Sequence, residues 1–303
     1  MSYVINFWLE QVRVCVRFVC MIFLEKVAIL GAGLLGASLA KALKEKGVVG
    51  EVSVWSRSES TRNKCAQLNS VFNYVCNTPQ KAVENADMVV LCTPTQNIPE
   101  LAREIAGSLK DNAILTDVGS VKSKICAECT EALKDCNAVF VGSHPMAGSE
   151  KIGVDYSEAT LFENRPCFVV GNEQSPQVEK VSQMWESVGM KTYIVSASEH
   201  DCIVSRVSHL PHLLAGTLCV VSSQFPKDLR KYVGPGFRDT TRVASGSPDI
   251  WDSIIADNKT EILLALKDYV NSLNELIMQI GSDDKASIAL RLRLAKTFRD
   301  GLV

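Results

Sequence analysis

The chain has almost no net charge. Thirty-two Lys and Arg against 34 Asp and Glu leave −2 over 303 residues, so no basic field remains for nucleic acid or an anionic membrane surface. Uninterrupted apolar runs of the ~20 residues a spanning helix needs are also missing. Glu10, Arg13 and Arg17 break the most apolar stretch, residues 1–20. That stretch lacks a basic start and a small-residue cleavage site, so it does not read as a secretory signal, and plastid targeting finds no support in it. The eleven cysteines are an odd number, and the lone CxxC of Cys126 and Cys129 has no second pair at ligand-like spacing, which excludes a small disulfide scaffold. Reduced thiols in a cytoplasmic protein are expected. No repeat, low-complexity tract or GxSxG elbow occurs, and the last absence argues against a serine hydrolase.

What is present suits a soluble globular protein of two domains, at roughly 150 residues per domain. With 47% apolar and 22% charged residues, such a chain buries a core without a metal or disulfide staple. Residues 1–20 are set aside as an N-terminal extension, because Met21 offers an alternative start just before the first strand. Short apolar β runs then alternate with helical stretches: strands at 26–30, 51–55, 86–92, 113–118, 138–142, 167–171 and 191–195, helices from the first glycine loop to Lys46 and near 97–109, 120–135 and 176–188. Continuous Val/Ile runs between helices predict a parallel sheet covered on both faces, a Rossmann-type doubly wound fold over residues 21–196. Beyond Ser196 the β pattern stops. Residues 197–303 read as an all-helical C-terminal domain, with helices at 199–224, 249–280 and 283–300 and a loop or broken helix from Gly234 to Pro248.

Gly31-Ala-Gly33-Leu34-Leu35-Gly36 is a GxGxxG at the junction of the first strand and the first helix. The first glycine permits the turn, the second lets backbone approach a pyrophosphate, and the third lets helix and strand pack. The anion then lies on free N–H groups of the helix. The second strand ends Trp55-Ser56-Arg57-Ser58. An NAD site has Asp or Glu here for the ribose 2′-hydroxyl; Ser56 is no charged acceptor, whereas Arg57 can pair with a 2′-phosphate. NADP is therefore favoured, NAD remaining the alternative, and Arg57 pointing to solvent is the plain reading. Cys92-Thr93-Pro94 follows a strand on the ligand-binding edge; it reads as cofactor wall, with Thr93 as a helix cap the competing role.

Four histidines occur: His144, His200, His209 and His212. His144 follows a strand directly, and Ser120 ends the segment after the preceding strand, so both reach the carboxyl edge where the nucleotide loop lies. A hydroxyl-bearing carbon that gives up hydride needs a base for its O–H, and neutral imidazole suits that near pH 7. Ser120 can hold that hydroxyl or cap a helix starting at Val121. A metal at His209 and His212 is disfavoured, because no Cys or carboxylate completes a familiar set and Pro211 bends the helix between them.

The motifs GxGLxGxS, DVGSVK, GSHPMAGSEKxG, HD…SHLPH and GFRDTTRxAS…W, in this order from about Lys26 to beyond Trp251, resemble the prephenate/arogenate dehydrogenases of tyrosine biosynthesis. The resemblance implies a helical domain that dimerises and an oxidative decarboxylation of a cyclohexadienol. It implies His144 as the catalytic histidine, Ser120 beside it, Arg242 on a substrate carboxylate and His212 near the substrate side chain. It also implies a polar entrance network of Glu150, Asp201 and Arg238. Ser56 departs from the family's usual Asp. A keto-acid side chain opposite His212 leans the choice toward prephenate over arogenate. Trp251 is expected in an interdomain or dimer core. The rivals are another β-hydroxyacid-type dehydrogenase, whose catalytic lysine would lie on the helical domain, and a non-catalytic NADP-binding regulator.

Overall fold

The computed structural model describes residues 24–148 and 151–302. Its N-terminal half alternates as expected: β1 (Leu24–Leu30), α1 (Leu34–Glu45), β2 (Val49–Trp55), α2 (Glu59–Ala66), β3 (Tyr74–Val75), α3 (Pro79–Val83), β4 (Met88–Leu91), α4 (Ile98–Ile105), β5 (Ile114–Asp117), α5 (Ser123–Ala132) and β6 (Val139–Val141). The six strands form one parallel sheet in the order β3-β2-β1-β4-β5-β6. This is the doubly wound order, and its crevice opens between β1 and β4, where the winding reverses.

The apolar runs are continuous because both sheet faces are covered. Val27, Ile29, Val52, Val54, Met88 and Val90 join one core, while Ala28, Leu30, Val89, Leu91 and Leu115 join the other. Side chains alternate across a strand, so each run feeds two cores. Each fully buried Val, Ile or Leu contributes about 1.5–3 kcal/mol. The elements α2, β3 and α3 escaped the sequence reading, since each is two to eight residues long.

The last two β runs do not extend the main sheet. After Gly142 the chain leaves it, and β7 (Ser143–Pro145) pairs antiparallel with β8 (Pro166–Val170), which pairs parallel with β9 (Lys191–Val195) across α6 (Pro176–Ser187). The run read as a strand at 138–142 supplies only β6; β7, directly after it, was not read as a strand and lies in the other sheet. Ser143 makes the join: its N–H donates to Asp117 Oδ1 (3.0 Å), its hydroxyl donates to the Asp117 carbonyl, and its Oγ accepts from the Trp185 indole at 3.0 Å.

Ser196 caps α7 (Ala197–Val204), and the helical domain follows. The expected helix 199–224 is interrupted by a π turn at Ser205–His209 before α8 (Leu210–Ser223). Pro211 explains it, because its missing N–H removes a helical hydrogen bond and its ring crowds the preceding turn. The stretch read as loop or broken helix holds α9 (Pro235–Thr241) and a 3-10 turn at Arg242–Ser245. Then come α10 (Pro248–Asp257), α11 (Lys259–Gly281) and α12 (Lys285–Asp300), with a break at Asn258 that the sequence did not announce. Ile254 and Trp251 of α10 pack into the second sheet core, which places Trp251 between the domains. Among the described residues no helix is long and apolar enough to cross a membrane.

Candidate active site

The glycine loop is closed by backbone geometry. Gly31 has φ +110°, and a Cβ there would stand 2.5 Å from the Cys92 carbonyl oxygen; one on Gly36 would stand 2.2 Å from the Gly31 carbonyl oxygen. A Cβ on Gly33 would meet nothing within 4 Å, so that face of the loop is open. Gly33 caps α1, leaving Leu34, Leu35 and Gly36 in the first turn, where N–H groups lack helical acceptors. Thr93 adjoins this loop, its backbone N standing 3.0 Å from where a Cβ on Gly31 would lie; its Oγ1 is buried without a partner and caps no helix. An open glycine face, free N–H groups and an orphaned hydroxyl fit a bound dinucleotide pyrophosphate.

At the end of β2, Ser58 caps α2 through its Oγ, which accepts from Thr61 N at 3.5 Å. Arg57 is exposed, and the guanidinium of Arg62 donates to the carbonyls of Ser56 at 2.7 Å and Arg57 at 3.1 Å. Arg62 was not singled out by the sequence, because it lies a helical turn beyond the motif position. Two guanidinium groups and a helix N-terminus therefore share this corner.

A second cluster starts from Asp117, the last residue of β5. Its carboxylate accepts from Gly119 N at 2.8 Å and pairs with the ammonium of Lys122. Both side chains are fully buried, and Lys122 also donates to the Ser143 carbonyl at 3.0 Å. This fixes the turn carrying half-buried Ser120 against the strand carrying His144. Ser120 does not cap α5: that helix starts at Ser123, and its first amides donate to Asp201 instead, Lys122 N at 2.8 Å and Ser123 N at 2.9 Å.

Asp201 is thus not an entrance residue. It is buried on α7, with its Oδ1 2.8 Å from His200 Nδ1. His200 Nε2 lies 2.8 Å from His144 Nδ1, with the ring of Phe168 edge-on to His200. Asn258 donates to the Asp201 carbonyl at 2.9 Å and lies 3.2 Å from His209 Nδ1. His212 stacks on Trp251 at 3.5 Å. A run of polar groups therefore crosses from the sheet through α7 to α10. His200, Lys122 and Asn258 had no role from the sequence; the first two stand within the HD and DVGSVK motifs, and Asn258 lies outside every motif.

Burial holds His144 well below the ordinary histidine pKa, helped by the neighbouring His200, Lys122 and His209. Burial also lowers His200, against the hydrogen bond it makes to the Asp201 carboxylate, and brings His209 to about 4. For Asp201 burial acts upward, but the bonds from His200, Ser123 and Lys122 outweigh it and hold the carboxyl below its usual range. Histidines kept neutral in the fold take up protons below pH 6.5 once unfolded. Their contribution is therefore present above 6.5 and lost as the pH falls toward about 4. The unfolding midpoint is expected to drop between pH 7 and pH 5 in calorimetry, and a rise over that interval would contradict the assignment. Three thiols are held in the protonated form: burial pushes Cys126 up to about 12 and raises Cys92 and Cys129 as well. All nine described cysteines are free.

Arg242 and Arg238 are both exposed, and Arg242 forms no ion pair among the described residues, Asp239 included. Glu150 lies outside the described residues.

Comparison with known proteins gives a consistent answer. Residues 39–194 match the family model of the prephenate dehydrogenase nucleotide-binding domain, and 196–297 that of the prephenate dehydrogenase dimerization domain. A cyclohexadienyl dehydrogenase of Zymomonas mobilis is 34% identical over 266 residues, 86% of this chain and 90% of that protein. Among solved structures, prephenate dehydrogenase from A. aeolicus in complex with hydroxyphenyl propionate and NAD+ superimposes with a TM-score of 0.84 at 30% identity, covering 92% of this chain and 98% of that one. Synechocystis arogenate dehydrogenase gives 0.80 at 29% identity, over 92% and 100%. With a nucleotide loop on a doubly wound sheet, a buried histidine cluster at its carboxyl edge and both domains matched, the chain belongs to the prephenate dehydrogenase family of oxidoreductases that use a nicotinamide cofactor.

Proposed function

We propose that the protein oxidatively decarboxylates prephenate or arogenate, with His144 as general base and Arg242 as carboxylate clamp. The observation that carries this reading is the placement of His144: a buried imidazole, held neutral, on a strand hydrogen-bonded to the turn that bears Ser120. A bound nicotinamide dinucleotide, held by the Gly31–Gly36 loop and Thr93, supplies the hydride acceptor. The imidazole takes the proton of the ring hydroxyl while Ser120 orients that oxygen. Oxidation turns the carbinol into a dienone, whose ring carboxylate then leaves as CO2. Its bonding electron pair aromatises the ring, so the chain need only position groups and remove one proton. Arg242 suits the substrate because a guanidinium fork matches a carboxylate and its own is not engaged elsewhere among the described residues. Arg242→Gln is expected to raise KM at least about tenfold with a smaller change in kcat, the scale of losing one charge-paired contact; steady-state kinetics with an unaltered KM would place the clamp elsewhere.

The Arg57 and Arg62 pair beside Ser56 favours NADP over NAD. His212, half-buried and facing Trp251 with its neutral form favoured by burial, is compatible with a keto-acid side chain, which favours prephenate. The helical domain presents Leu263, Leu264, Leu273, Ile277, Leu292 and Phe298 to solvent, each at least 42% exposed. Such a face calls for cover, and a second copy of the chain, meeting it in a homodimer in the cytoplasm, suits the domain's family. One assay tests the function: reduced-nicotinamide absorbance with NAD or NADP against prephenate or arogenate. Turnover is expected to be fastest with NADP and prephenate. Silence in all four combinations, with cofactor still bound, would leave the regulator reading.

A further inference from the structure

The polar groups running from the N-terminus of α5 through Asp201 and His200 to His144 fix more than a position. Asp201 Oδ1 accepts from Lys122 N and Oδ2 from Ser123 N. Two helix N-terminal amides directed at a side chain select its carboxylate, and a carboxylate has no proton to give. Its contact with His200 Nδ1 at 2.8 Å therefore requires the hydrogen to be on that nitrogen. In neutral His200 the other nitrogen, Nε2, is then bare and can only accept. His144 Nδ1, 2.8 Å away, must supply the hydrogen.

From this we infer that His200 and Asp201 are positioning residues that lock His144 in its Nδ1–H tautomer, leaving its Nε2 as the bare, proton-accepting nitrogen. The inference rests on His144 being the base and says which of its atoms does the work. It also gives the domain boundary a role, since His144 belongs to the sheet domain while His200 and Asp201 open the helical one. The charged alternative, an imidazolium at His200 donating to His144, would reverse the tautomer and put the hydrogen on the nitrogen that has to accept. Full burial of His200 opposes that charge.

Two measurements test this, one of which needs neither cofactor nor substrate. In 15N-labelled protein, ring-nitrogen shifts of the four histidines, assigned by single substitutions, are expected to show His144 protonated at Nδ1 and bare at Nε2. The opposite tautomer in the wild type would overturn the inference whatever the enzyme turns over. Kinetically, His200→Leu removes the acceptor, and a base left in the wrong tautomer loses up to about 10⁴-fold in turnover. A fall in kcat of at least about thirtyfold is expected, with KM and cofactor Kd changed less than about threefold. His200→Gln places one acceptor and one donor in the same space and is expected to recover to within about tenfold of wild type. A His200→Leu enzyme that keeps its kcat, or a His200→Gln enzyme no better than His200→Leu, would overturn the lock. Failure of the four-way assay would remove the proposed activity and leave the nitrogen spectrum as the judge of the tautomer.

Discussion

Replacing His144 with asparagine is expected to lower kcat by about 10²–10⁴-fold, the range a positioned general base supplies. Cofactor affinity should hold, because the glycine loop, Thr93 and the Ser56–Arg62 corner belong to other elements. The side chain leaves the backbone pairing of β7 with β8 intact, as His144 opposes Phe168 there through main-chain register. Asparagine keeps a polar group near His200 but offers no nitrogen lone pair for a hydroxyl proton. Stopped-flow and steady-state rates beside a cofactor titration separate the two effects. Turnover within threefold of wild type would show that proton removal happens elsewhere.

Lys122→Met should destabilise the fold by about 3–5 kcal/mol, the cost of leaving a buried partner charged and alone. Methionine fills much of the same volume, so packing loss is small and the effect isolates the charge. Asp117 would retain its amide bonds from Gly119 and Ser143, which do not neutralise it. Against a total stability of 5–15 kcal/mol that loss is large, and the unfolding midpoint should fall on the order of 10 °C. Adding Asp117→Asn removes the orphaned charge and should restore part of the loss. Chemical denaturation of the single and double variants checks this. A single variant within 1 kcal/mol of wild type would show that water reaches the pair.

The two substitutions act on one construction. Asp117 and Lys122 tie the turn after β5 to the start of β7, and Asp201 ties the same turn to α7. The first connection decides where His144 stands; the second decides how its ring is protonated. A chain whose neutral groups are placed in this way is expected to lose stability on acidification and turnover on loss of a single nitrogen.

Much of this was readable in the linear chain. Short Val/Ile-rich runs such as MVVL at β4, set between helical stretches, read as strands covered on both faces, and the glycines at 31, 33 and 36 announce a turn that backbone geometry then demands. These are short-range facts, set by periodicity and by which residues tolerate close approach. That a second strand, β7, follows β6 in another sheet was not readable, because no local signal marks a chain that leaves one sheet to join the next. Arg62 was missed because a helical turn hides its distance from Ser56. The break at Asn258 and the depth of Asp201 were missed for a related reason. Their partners are 57 and 79 residues away along the chain.

The sequence by itself therefore determined the doubly wound sheet, the helical second domain and the family, since periodicity and long motifs are local properties. Only the tertiary structure decided that Asp201 caps α5 rather than guarding an entrance, that Ser120 caps nothing, and that His200 stands behind His144. Hydrogen bonds between segments far apart in the chain depend on packing, and packing settles which donor meets which acceptor.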